Sequence, residues 1–175
     1  MLEGIDTDTG DPADVAPGAS GGESLRAALL LLGDRGLRRW ASIVAVATLG
    51  LDGAPELVVT SLVRAAFCEG VLRELGQHDL AEDGFLAGLF STIDAFLGQP
   101  LAEALGRLPL PGVVSDALLG RNGPIQPILE LAFAYERGEW ARVAEHAAAL
   151  GVPDTSLARE YGAALEYANS MRLKQ

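Results

Sequence analysis

The sequence predicts an all-α protein, and three observations carry that prediction. Apolar residues recur at helical spacing along most of the chain, and glycines and prolines fall at the ends of those runs. The one alternating stretch of strand length, residues 56–61, begins after a proline and continues into a helical pattern. The 175 residues are 49% hydrophobic, which supplies a core and suits one domain with a tail.

Residues 1–22 stand apart from the rest. They carry five glycines, Pro12 and Pro17, and their charges are all acidic. Through residue 25 there are six acids (Glu3, Asp6, Asp8, Asp11, Asp14 and Glu23) and no base, out of a net charge of −11. Such a segment buries too little apolar surface to offset its ordering entropy. It is expected to be a disordered tail, with a translated leader or cloning remnant as the plain alternative. The domain proper is expected over residues 24–172.

Ser24 caps a first helix over about residues 25–32, which Gly33 stops, and Asp34 caps a second reaching about residue 49. Pro55 sits at the first turn of a long helix to about Leu75, closed by Gly76. Asp83 opens a helix running from about 84 to 97 before Gly98, and Pro100 starts a short one to about 108. Helices over about 113–119, 124–137, 139–150 and 156–171 complete a set of about eight or nine. The last three have the cleanest stripes: Ile125, Ile128, Leu129, Ala132 and Phe133, then Trp140, Val143, Ala144 and Ala147, then Leu157, Tyr161, Ala164, Leu165 and Ala168. The earlier helices are apolar around most of their circumference, so they are expected at the centre. Short loops predict antiparallel neighbours.

Composition excludes several classes. No apolar run reaches the ~18 residues of a membrane span, and the acidic N-terminus does not read as a secretory leader. The negative balance argues against nucleic acid or an anionic membrane as partner, since both reward clustered Lys and Arg. A single cysteine, Cys68, makes no intrachain disulfide and fits a reducing cytoplasm, which is the expected location. Two histidines and one cysteine are too few for a Cys/His zinc site, and no cofactor is expected.

His78-Asp79 is an HD dipeptide of the kind that ligates metal in HD-type phosphohydrolases. Here it lies between Gly76-Gln77 and Leu80, in a stretch that reads as an exposed loop. His146 falls one position off an apolar stripe, Cys68 has no nearby base to lower its pKa, and no serine occupies a nucleophile elbow. Gly120-Arg121-Asn122-Gly123-Pro124 could face an anion at a helix start, but it lacks the lysine and hydroxyl of a P-loop and reads as a turn. Arg35, Arg38 and Arg39 before Trp40 read as a solvated helix end. No catalytic constellation emerges, and the chain is expected not to be an enzyme.

Several stretches in order resemble a known family. The run Ser24-Leu25-Arg26-Ala27-Ala28, continuing through Leu32-Gly33 to Leu37-Arg38-Arg39-Trp40, resembles the "S-x-x-x-A-x-x-x-L-G…L-R-R-W" signature of HDOD domains. These are helical, modified-HD output domains of bacterial signalling, and the subtype fused behind an EAL (cyclic di-GMP phosphodiesterase-type) domain is the most similar. Further elements are Pro55-Glu56-Leu57, Val63-Arg64-Ala65-Ala66-Phe67-Cys68-Glu69, Phe85-Leu86-Ala87-Gly88-Leu89-Phe90-Ser91, Leu118 to Pro124, and Ala134-Tyr135-Glu136-Arg137-Gly138-Glu139-Trp140.

The resemblance implies a compact HD/HDOD-like helical domain and a non-catalytic signalling or protein-interaction module. The stretch that matches the catalytic "G-L-L-H-D-I-G" helix is Gly88-Leu89-Phe90-Ser91-Thr92-Ile93-Asp94, so Ser91 and Thr92 take the ligand positions. An upstream histidine position falls near Thr60. Neutral hydroxyls replace imidazole and carboxylate poorly around a metal ion, so Thr60, Ser91 and Thr92 are expected to be degenerate ligand positions. HDOD domains normally have helices before the first signature, a place held here by residues 1–22, so the chain is expected to be the later part of such a domain. Leu25, Leu29, Leu32 and Trp40 would then form an interaction surface, covered by a homodimer mate or a protein partner, an EAL-type signalling protein included. Two alternatives stay open. A residual metal-dependent HD-type phosphohydrolase would need His78, Asp79, Asp94 and His146 to converge. A helical adaptor similar to tetratricopeptide repeats would build on residues 135–147, but only one such unit is found.

Overall fold

The computed structural model describes residues 36, 38–39, 41–48 and 55–172. Among them every regular element is a helix. A helical stretch over 41–48 precedes eight bounded helices: α1 (Pro55–Glu74), α2 (Ala81–Phe90), α3 (Ile93–Leu97), α4 (Leu101–Leu105), α5 (Gly112–Leu118), α6 (Gln126–Glu136), α7 (Trp140–Leu150) and α8 (Asp154–Arg172). The predicted all-α class holds. The tail over 1–22 and the helix over 25–32 lie outside the described residues, as do Leu25, Leu29, Leu32 and Trp40.

The central element is α1, which packs along both α2 and α8 and touches α6. Its interior face holds Leu62, Val63, Ala65, Phe67, Cys68, Val71 and Leu72, all buried. Proline at its first position costs no hydrogen bond, because that N–H has no partner inside a helix. Its end is set by Gly76, whose φ of +71° suits a residue without Cβ. There Gln77 N donates to Leu72 O at 2.9 Å and Gly76 N to Arg73 O at 3.0 Å, closing the last turn.

The approach of α2 to α1 is close because of Gly88. A Cβ there would lie 2.5 Å from the backbone nitrogen of Ala65. The helix expected over about 84–97 is in fact two, and this is a correction. It starts at Ala81 and breaks at Ser91-Thr92, where Thr92 leaves helical geometry at φ −118° and ψ 10°. The hydroxyl of Ser91 donates to Gly88 O at 2.6 Å, competing with the helical ladder as serine does at helix ends. The second half of the chain follows expectation within a few residues. Helices α6 and α7 pack as a pair, and α8 lays Leu157, Ala164 and Ala168 into the core.

No helix of the described residues is long and apolar enough to cross a membrane.

Candidate functional site

Arg64 is a lone cation in the apolar run Val58 to Leu72, so folding α1 carries a full charge inward. A buried charge is tolerated when it is paired and hydrogen-bonded. Here Nε donates to Glu136 Oε1 at 2.9 Å and Nη2 to Glu136 Oε2 at 2.6 Å, the two-pronged geometry that suits a guanidinium and a carboxylate. The third nitrogen, Nη1, donates to Ser91 Oγ at 2.5 Å. The guanidinium plane also lies over the Phe133 ring, 4.7 Å from its centroid. One side chain therefore joins α1, the break between α2 and α3, and the last turn of α6.

A second polar contact lies one turn back on α1. Ser61 Oγ donates to Leu57 O at 2.8 Å and hydrogen-bonds Thr92 Oγ1. Because the Ser61 proton is already engaged, Thr92 is the donor in that pair. Both side chains are buried. The break at Ser91-Thr92 thus turns two consecutive hydroxyls onto α1, one toward Arg64 and one toward Ser61.

Beside this cluster, Cys68 is fully enclosed, and burial pushes its thiol up to about 12, with Arg64 opposing and Glu136 adding to the shift. Phe67, Tyr135 and Tyr161 stack at 4.7–5.7 Å between centroids, and burial with the nearby Glu136 raises the Tyr161 phenol above its ordinary value.

Arg39 forms a separate cluster, and its placement corrects the expectation of a solvated helix end. Its guanidinium rests over the Phe85 ring, 3.7 Å from the centroid, and Nη1 donates to Glu69 Oε1 at 2.8 Å. Arg73 also holds Glu69, at 2.6 Å. The aromatic platform and buried carboxylate outweigh hydration here. Burial works against the charge, but the Glu69 and Tyr167 partners hold the Arg39 pKa above its usual value. Glu82 stands 3.8 Å from Arg39, and its Oε1 is buried without a hydrogen-bond partner, so burial raises its pKa despite that cation. Arg39, Ala66, Glu69, Gly70 and Arg73 line an open cleft of about 410 Å³.

The structure brings Ser91 and Thr92 together with Ser61 and Arg64, while Thr60 sits half-buried one position from Ser61. His78 and Asp79 occupy an exposed turn, Asp94 is exposed, and His146 is half-buried on α7. Among the described residues no group of three or more His, Cys, Asp or Glu side chains could hold a metal ion. The Ser61, Arg64, Ser91, Thr92 and Glu136 cluster does not fit one either, because its only carboxylate is engaged by a cation and its other donors are hydroxyls. Arg64 and Glu136 were the site residues that sequence reasoning passed over. An arginine isolated in an apolar helix was the available signal.

No family model matches the chain, and no solved structure matches it. Two curated proteins are similar over most of its length. One, named a cyclic di-GMP phosphodiesterase, CdgJ, is from Vibrio cholerae and is 34% identical over 128 residues, 73% of this chain and 30% of the relative. The other, from Bacillus subtilis and named only as the uncharacterized protein YuxH, is 33% identical over 126 residues, 70% of this chain and 31% of the relative. The chain spans less than a third of the length of either. The expectation that the chain is not an enzyme is corrected by this finding, since the Vibrio relative is named as one. That expectation rested on finding no metal-ligand set, activated cysteine, nucleophile elbow or phosphate loop in the sequence.

Proposed function

We propose that the chain is an HDOD-type helical module that works in cyclic di-GMP signalling through contact with a protein partner. The observation that carries this reading is the 34% identity over 128 residues with a relative named as a cyclic di-GMP phosphodiesterase. The ordered stretches from Ser24 to Trp140 that resemble HDOD domains support the finer assignment. The polar cluster supports it as well. In this reading Ser91 and Thr92 stand at the ligand positions of HD-type sites, and the Arg64 cation ties together the helices that an ion would otherwise bridge. Thr60 is the third such position, although its neighbour Ser61 makes the contact with Thr92. The partner is a second copy or an EAL-type signalling protein, engaged through Leu25, Leu29, Leu32 and Trp40.

Deleting the gene in the native cell and measuring the cyclic di-GMP pool tests the reading. The pool is expected to shift on deletion and to return when the chain is supplied on a plasmid. An unchanged pool overturns the assignment. Mixing purified chain with cyclic di-GMP, alone and with cell extract, separates turnover by this chain from an effect exerted through a partner.

A further inference from the structure

Trp140 is 64% exposed, the most exposed large apolar side chain among the described residues. It is nevertheless held in place. Its ring lies over Gly138, where a Cβ would stand 3.9 Å from three of its atoms, and the glycine's φ of +67° carries the chain under the indole. Tyr135 meets it edge-on, with centroids 5.5 Å apart and planes at 86°. Backbone bonds fix the turn beneath: Gly138 N donates to Tyr135 O at 3.1 Å and Trp140 N to Gly138 O at 2.9 Å. An exposed aromatic held in one orientation binds with little further ordering cost, and tryptophan is the residue most often found at the energetic centre of interfaces.

The rest of the fold indicates what such a ring would take. Where arginines lie over aromatic rings among the described residues, they cover Phe85, Tyr167 and Phe133. Of the two arginines beside Trp140 in sequence, Arg142 is paired with Glu139 and Glu130, and Arg137 is directed at Phe133. The indole is the strongest cation-binding ring of the set, and the arginine–ring pairs among the described residues do not include it. Carboxylates outnumber guanidiniums over residues 126–172, and the whole chain has a net charge of −11. The chain's net negative charge favours the approach of a cation over that of a phosphate backbone.

We infer that Trp140, on its Gly138–Tyr135 seat, is a docking site for an arginine-bearing segment of a partner protein, whose guanidinium stacks on the indole. This inference stands apart from the assignment to cyclic di-GMP signalling, and either can fail alone. Fluorescein-labelled hexa-arginine, hexa-lysine and hexa-proline peptides, titrated with the full chain and followed by anisotropy, test it. Charge attraction is common to the two basic peptides, so their difference reads stacking of the planar guanidinium. Hexa-arginine is expected to bind about threefold to fivefold more tightly than hexa-lysine. Trp140→Ala is expected to abolish that preference, and Trp140→Tyr, which keeps a ring, to retain part of it. Equal binding of the two basic peptides, an undiminished preference in Trp140→Ala, tighter binding of hexa-proline, or no binding overturns the inference.

Discussion

Arg64 concentrates the risk and the order of this interior in one side chain. Removing it leaves the Glu136 carboxylate and the Ser91 hydroxyl without their partner in a largely buried setting. Arg64→Ala is therefore expected to lower unfolding free energy by about 3 kcal/mol, measured in urea. Arg64→Met combined with Glu136→Leu is expected to recover most of that loss, because no charge is then left stranded. Glu82 gives a test in pH. Its raised pKa means the native state binds a proton that the unfolded state has released, so the group opposes folding above its folded pKa. Glu82→Gln should raise the melting temperature at pH 7, and the advantage should shrink as pH falls toward the ordinary carboxylate value. Cys68, pushed up to about 12 by burial, should resist a thiol reagent at pH 8 until the protein is denatured. The sequence made Cys68 legible as a core residue, since its neighbours are apolar. The role of Arg64 was not legible, because its partners lie 27 and 72 residues away and no local pattern names them.

Among the helices, punctuation was legible and tertiary competition was not. Proline at 55 and glycine at 76 bracket α1 almost at the predicted bounds, because both act through backbone geometry alone. Ser91 and Thr92 look compatible with a continuous helix, and the break becomes visible only once Arg64 and Ser61 supply partners for the two hydroxyls. The crossing of α1 and α2 was equally hidden. Gly88 reads as a weak point in a helical run, yet a side chain there would meet the backbone of Arg64 and Ala65 on the facing helix. Backbone cannot move aside as a rotamer can, so Gly88→Ala should destabilise by about 3 kcal/mol. Gly123→Ala, where no atom lies within 4 Å, should change the urea midpoint little.

At the scale of the molecule, stability is expected to centre on α1, whose residues 61–65 and 67–69 are buried in an unbroken polar and apolar interior. Hydrogen exchange should be slowest along its second half, and faster in α3 and α4, which have only five residues each. The all-helical class was plain from periodicity, but the closing partner of α1 was not, because nothing local in α1 points to the far end of the chain. That partner is α8. Ser156 Oγ and Arg159 Nη2 both donate to Glu74, across 82 and 85 residues of sequence, while Tyr161 and Tyr167 seat against Phe67 and Phe85. During synthesis, then, α1 leaves the ribosome long before the helix that covers it exists, and its apolar flank must wait until translation has passed residue 172. A premature stop ahead of residue 154 would strand that flank in water, so such shortened products are expected to be cleared by proteases or to aggregate rather than to persist as working fragments.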